Sequence, residues 1–223
     1  MKQNVKRLPY GINDFEAVIE QNQYYVDKTM YLPLLENQPR NIIFIRPRRF
    51  GKSIFLSMLH AYYDCSKKEK FQTLFGDLWV GKHPTPLQGR YQVLHLDFSY
   101  VGGSIDKLEE NFDMYLRVKL DGFMRIYQEF YLTDFKEKFF KTDSATEKLA
   151  LLQDEIATKS IPLYLIIDEY DNFTNTVLNE QGEKVYWAIT HADGFYRDVF
   201  KKFKGMFERI FITGVSPVTL DDV

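Results

Sequence analysis

Asn41-Ile-Ile-Phe-Ile-Arg-Pro-Arg-Arg-Phe-Gly-Lys-Ser53 is the stretch on which the fold turns. Its first five residues form an apolar run of the kind covered on both faces of a parallel sheet. A basic loop follows, Arg46 to Ser53. Beyond it Ile54, Phe55, Met58, Leu59 and Tyr62 recur at helical spacing, which predicts a helix over 53–63. The loop ends Gly51-Lys52-Ser53, the second half of the phosphate-loop pattern G-x-x-x-x-G-K-[ST]. The first glycine of that pattern is replaced by Arg46. Phosphate, however, is held by loop N–H groups and the N-terminus of the next helix. Arg48, Arg49, Phe50, Gly51, Lys52, Ser53 and Ile54 all keep their N–H, and Pro47, which has none, lies at the start of the loop. Gly51 permits close approach of backbone to oxygen. Lys52 places a point charge at the outer phosphates, and Ser53 can bind Mg²⁺. The competing explanation is an exposed basic loop that caps a helix, and the strand before it and the amphipathic helix after it weigh against that.

A second signal lies far downstream. Leu163-Tyr-Leu-Ile-Ile-Asp168-Glu169 is an apolar strand that ends in two acids. Such a strand delivers Asp168 to its C-terminal edge, where ligands bind in open α/β sheets. There Asp168 would support Mg²⁺ opposite Ser53, and Glu169 would act as general base on the attacking water. Asp171 is read as a solvated acid at a helix start. Arg209-Ile-Phe-Ile-Thr213 is a further strand, followed by Gly214, Ser216 and Pro217. Thr213 or Ser216 would face the γ-phosphate if that strand neighbours the first. A plain strand exit marked by Gly and Pro is the equal alternative.

The rest of the chain supplies the frame. Tyr91–Phe98 reads as another strand. Helices are predicted from Ser104 through Lys119, with Gly122 weakening the far end, from Thr142 to Lys159, and from Glu183 to Lys204, interrupted or bent near Gly194. Residues 64–90, punctuated by Gly and Pro, read as irregular. Asp27 is placed as the cap of a short helical turn leading to Leu32, limited by Pro33. Tyr24–Val26 reads as a short strand or an extended docking segment. Strands alternating with helices give an α/β fold with a mostly parallel sheet flanked by helices.

Composition excludes several classes. The 223 residues carry 29 Lys+Arg against 31 Asp+Glu, a net charge of −2, so no overall basic field points to nucleic acid. Two basic clusters remain, Arg46/Arg48/Arg49 and Lys201/Lys202/Lys204, and a solvated loop or helix end accounts for both. Cys65 is the single cysteine, which excludes an internal disulfide and a cysteine-rich zinc site and fits a reducing cytoplasm. His60, His83, His95 and His191 show no ligand spacing, and His95 reads as a sheet residue. No apolar run approaches membrane-spanning length, and the N-terminus has no secretory pattern.

These segments resemble the prokaryotic AAA-ATPase-like family of P-loop proteins. The likeness is carried by Leu8-Pro-Tyr-Gly-Ile-Asn-Asp-Phe15, Tyr25-Val-Asp-Lys-Thr29, Arg46–Ser53, Leu96-Asp-Phe-Ser99, Ile167-Asp-Glu-Tyr-Asp171 and Ile212-Thr-Gly-Val-Ser-Pro217. Arg46 in place of the first glycine is part of that family's pattern. The resemblance implies the P-loop NTPase fold of the additional-strand (ASCE) type, with ATP as nucleotide. It also implies that longer members often carry a C-terminal nuclease-like domain of the PD-(D/E)XK kind. That fold ordinarily has a fifth core strand, and four are counted. Residues 1–40 are therefore expected to be an N-terminal segment packed on a core at 41–223 that lacks its last strand, with one sheet edge unpaired or filled by another segment.

The function expected is Mg²⁺-dependent ATP binding with slow hydrolysis. Lys52, Glu169 and Thr213 are the catalytic candidates, residues 48–54 the nucleotide-binding ones, and Ser53 and Asp168 the metal-binding ones. The alternatives are a nucleotide-regulated interaction module with little turnover, and the ATPase part of a nucleic-acid-processing protein. No arginine finger and no base-reading residues are identifiable, and a lid or nuclease-like domain is a candidate partner. The absence of Asn-Lys-x-Asp and the resemblance favour ATP over GTP. Tyr25–Lys28 is expected beside the adenine.

Overall fold

Four strands carry the architecture: β1 (Asn41–Ile45), β2 (Gln92–Asp97), β3 (Leu163–Asp168) and β4 (Arg209–Gly214). The structure is a computed structural model that describes residues 6–102, 107–190 and 194–217. All pairings are parallel, in the order β1-β4-β3-β2. β4 thus lies between the strand entering the basic loop and the strand ending in Asp168. The register sets Phe44 against Thr213, Ile167 against Ile212 and Asp97 against Asp168. All four strands therefore deliver their C-terminal residues to the same edge. Among the described residues β1 pairs with β4 on one side only, and Ile43 on it is 43% exposed.

The helices are α1 (Phe15–Glu20), α2 (Leu32–Glu36), α3 (Lys52–Tyr63), α4 (Phe71–Phe75), α5 (Trp79–Lys82), α6 (Leu108–Ile126), α7 (Thr133–Lys141), α8 (Ala145–Lys159), α9 (Tyr170–Gln181), α10 (Glu183–Thr190) and α11 (Phe195–Met206). Successive side chains of a strand point to opposite faces, and this splits the core in two. Val93, Tyr164, Ile166 and Phe211 pack with Leu56, Leu59, Tyr62 and Tyr63 of α3, and with Phe15 and Leu32 from the N-terminal region. Leu94, Leu96, Leu165, Ile167, Ile210 and Ile212 pack with α6, α8 and α11 on the other face. The chain is an α/β/α sandwich. No helix among the described residues is long and apolar enough to cross a membrane.

Several expectations are corrected. Residues 64–90 are not irregular: they hold a 3-10 segment over Cys65–Lys70, then α4 and α5. Asp64 starts this run by accepting from the Ser66 N–H at 2.7 Å. α1 and α7 have no counterpart in the helices predicted from sequence, and α9 is anticipated only as the helix start at Asp171. α6 runs on through Gly122, where an added Cβ would meet open space, so that glycine costs propensity without breaking the helix. The expected cap Ser104 lies outside the described residues. The 142–159 segment begins later, at Ala145, because Ser144 is the N-cap. The interruption expected near Gly194 is present: the 183–204 segment forms α10 and α11, and Gly194 is the N-cap of the second. Pro33 falls in the first turn of α2, where its missing N–H costs nothing, so it opens that helix instead of limiting it.

One buried cation holds the α6–α8 layer together. Lys148 is 2% exposed, and its Nζ donates to Asp121 Oδ1 and to the Phe139 carbonyl, each at 2.7 Å. Removing one partner of such a pair costs more than removing both, because a charge is left unmatched. Asp121→Ala should cost about 3 kcal/mol in denaturant unfolding, and Asp121→Ala with Lys148→Met should recover part of it. A double variant no more stable than Asp121→Ala would contradict this account.

Candidate phosphate-binding site

The basic loop is shaped by two left-handed residues. Arg49 has φ 67° and Gly51 φ 74°. Gly51 is the N-cap of α3 and offers no side chain, so the first N–H groups of that helix have no side-chain cap. Lys52, Ser53 and Ile54 open the helix, and their N–H groups point out of its positive end. Alternating backbone handedness ahead of a bare helix N-terminus makes a concave array of donors suited to an anion.

Lys52 is 7% exposed. Its Nζ donates to the carbonyls of Arg46 at 3.0 Å and Pro47 at 3.1 Å, closing the loop on itself. Arg46 lies across the Phe44 ring, its guanidinium carbon 4.7 Å from the centroid. Phe50 is exposed at the tip.

Below the loop stands Asp168, which is 4% exposed. Its Oδ2 accepts from the Ser53 hydroxyl at 2.5 Å and its Oδ1 from the Thr213 hydroxyl at 2.5 Å. Oδ1 also accepts from the Glu169 N–H at 3.0 Å. Three elements thus converge on one carboxylate. A hydroxyl and a carboxylate in contact at a helix N-terminus are the hard oxygen donors that Mg²⁺ takes, with water and phosphate completing its shell. No group of three or more His, Cys, Asp or Glu able to hold a metal occurs among the described residues. An ion that keeps most of its waters needs no such group.

Comparison with known proteins bears on this geometry. A family model described as "Predicted AAA-ATPase" matches residues 9–223. The chain belongs to the predicted AAA-ATPase family. A protein of Azotobacter chroococcum mcd 1, described as "Uncharacterized protein in vnfD 5'region", is 47% identical over 55 residues, 24% of this chain and 11% of that protein. The chain thus matches about a tenth of that relative's length. No solved structure matches.

In this predicted AAA-ATPase, Glu169 follows Asp168 with φ 51°, a left-handed, non-glycine N-cap for α9. Burial raises its pKa, and the negative charges of Asp168 and Asp97 add to that, with Arg48 and Lys52 partly opposing. Asp97 lies in the Leu96–Ser99 segment of the family resemblance, with no site role assigned to it there. It sits at the end of β2, directly opposite Asp168, and accepts from the Ser99 N–H at 2.9 Å. The apolar residues before it, Val93 to Leu96, are interrupted by His95, which hides its likeness to the Asp168 strand end.

Asp171 overturns its expectation. It is not solvated but 2% exposed. Its carboxylate accepts from the N–H groups of Val215 and Ser216, the Ser216 hydroxyl at 2.8 Å and Asn175 Nδ2 at 3.2 Å. It therefore clamps the exit of β4 onto α9. Ser216 spends its hydroxyl on this clamp, and Thr213 spends its own on Asp168. An added Cβ at Gly214 would lie 2.5 Å from Asp171 Oδ1 and from the Tyr170 ring, so only glycine fits there.

A polar pocket of about 360 Å³ opens beside Ser53 and Asp168, lined also by His60, His95, Asp97 and Lys119. Burial pushes the His95 pKa down to about 3, helped by the charges of His60, Lys119 and Lys67. His95 is thus neutral at ordinary pH, in a sheet position as expected, with its ring edge-on to His60 at 5.5 Å.

Loss of the Asp171 carboxylate should strip two backbone N–H groups of their acceptor. Asp171→Ala should cost roughly 3 kcal/mol in thermal or denaturant unfolding. Asp171→Asn, which keeps one acceptor oxygen, should cost less, and equal losses would refute the clamp.

Proposed function

We propose that this chain binds ATP with Mg²⁺ and hydrolyses it slowly. One observation carries the proposal: the Ser53 and Thr213 hydroxyls, from the loop helix and from β4, close on Asp168 directly beneath a helix N-terminus with no side-chain cap. The strand order supports the additional-strand P-loop type, since β4 separates the loop strand from the acid-bearing strand.

In this mechanism the N–H groups of residues 48–54 take the phosphate oxygens. Lys52 exchanges its two loop carbonyls for phosphate and so holds its charge at the transferring group. Mg²⁺ held by Ser53 and Asp168 would neutralise charge on the phosphate oxygens. Thr213 keeps Asp168 oriented, and so acts through it as a positioning residue. Glu169, with its raised pKa, takes the proton of the attacking water. Phosphoryl transfer relies on positioning and charge neutralisation, which these groups supply.

A second reading, a nucleotide-regulated module with little turnover, is favoured by Lys52 being tied to its own loop. The nucleic-acid reading has less behind it: Arg46 is engaged with Phe44, and Lys201, Lys202 and Lys204 lie on α11.

Lys52→Ala should weaken ATP binding roughly 30-fold by calorimetry, about 2 kcal/mol for a lost bond to a charged group. Unchanged affinity would remove the phosphate-loop assignment. Glu169→Gln should bind ATP normally and lose turnover by about 10² or more. The base must be deprotonated, so a raised pKa moves the acid limb of the rate profile upward: wild-type turnover should fall with falling pH at a point above the ordinary glutamate value. A limb that persists in Glu169→Gln would assign it elsewhere.

A further inference from the structure

The segment Tyr25-Val-Asp-Lys-Thr29 has no part in the site described so far, yet one of its side chains reaches the loop. Lys28 Nζ lies 3.7 Å from where a Cβ on Gly51 would stand. It is held there by a turn whose neighbours are fully engaged. Asp27 Oδ1 accepts from the Thr29 N–H at 2.8 Å and the Thr29 hydroxyl at 2.7 Å, while its Oδ2 accepts from the Trp79 N–H at 2.7 Å. Thr29, wholly buried, accepts in turn from the Val80 N–H at 3.1 Å. Asp27 and Thr29 therefore pin the turn to α5 and leave Lys28 projecting toward the loop.

Lys28 has no ion pair among the described residues. Its surroundings are unfavourable for a cation, since it faces the positive end of α3 with Lys52 in the first turn. A fixed turn that holds an ammonium against a helix N-terminus is matched only by an anion placed between them. Lys28 also borders a largely apolar pocket of about 530 Å³ that runs from Phe50 and Gly51 to Tyr31, Leu34 and Phe44. That is the scale of a small-ligand site, and no carboxylate lines it.

We infer that Lys28 is a second phosphate-binding cation, supplied by the N-terminal segment, and that it grips the phosphate nearest the nucleoside, which lies in the adjoining pocket. This rests on the phosphate-loop proposal. It assigns the Asp27–Thr29 turn the task of holding that cation, with Asp27 a positioning residue. Because the grip is on the inner phosphate, it acts on diphosphate and triphosphate nucleotides alike.

The test is calorimetric binding of ATP, ADP and inorganic tripolyphosphate to wild type, Lys28→Met, Lys28→Arg and Lys52→Ala. Lys28→Met should weaken all three ligands about tenfold, with a melting temperature in the absence of ligand equal to or above that of wild type, because a repelled cation is removed. Lys28→Arg should restore most of the affinity. Binding lost in Lys52→Ala but intact in Lys28→Met would overturn the Lys28 assignment and leave the phosphate loop standing. A loss for ATP with none for ADP would overturn the inner-phosphate placement. Wild-type protein that takes up neither ATP nor tripolyphosphate would overturn the phosphate loop, and Lys28 with it.

Discussion

Everything at the sheet edge depends on one buried carboxylate. Asp168 accepts from two hydroxyls and a backbone N–H and is nearly inaccessible. A charge so placed is tolerable only when its oxygens are bonded, so its partners are held to it as firmly as it to them. Ser53 fixes the start of α3, and with it the loop. Thr213 fixes the end of β4. Glu169 begins α9 from the same point. Loop, base candidate and β4 exit are thus referenced to a single position on β3.

A second layer keeps that arrangement rigid. Asp171 binds the segment after β4 back onto α9, and the absence of a side chain at Gly214 lets the two approach. The order of the sheet makes this possible, since β4 lies beside both β1 and β3. The N-terminal region enters the same core through Phe15 and Leu32 and carries the Asp27–Thr29 turn to the loop's flank.

The four strands and the α3 helix were legible because their signals are local: apolar runs with abrupt polar ends, and a 3.6-residue period. α1, α4 and α5 were not. They are four to six residues long, and their apolar side chains Phe15, Phe75 and Val80 are explained only by the tertiary core they share. α8 was legible but for its start, which the Ser144 cap sets, and α7, which ends at the extended Thr142, was missed. Among the site residues, those bound to a sequence pattern were named in advance. Asp171 was misjudged because an acid at a helix start resembles a solvated one, and its partners Val215 and Ser216 are distant in sequence. Asp97 and Lys28 lie in segments that carry the family resemblance, but their places beside Asp168 and Gly51 come from strand register and from a turn anchored fifty residues away.

Among the described residues, two of the four non-glycine residues with positive φ are Arg49 and Glu169, one in each half of the candidate site. Side chains there cost on the order of 1 kcal/mol each relative to glycine. The other two, Asn22 and Ser160, end helices, where such a conformation is ordinary. The chain is therefore held away from its own stability optimum at one position in the basic loop and at one beside Asp168. Selection for thermal robustness alone would drift both toward glycine.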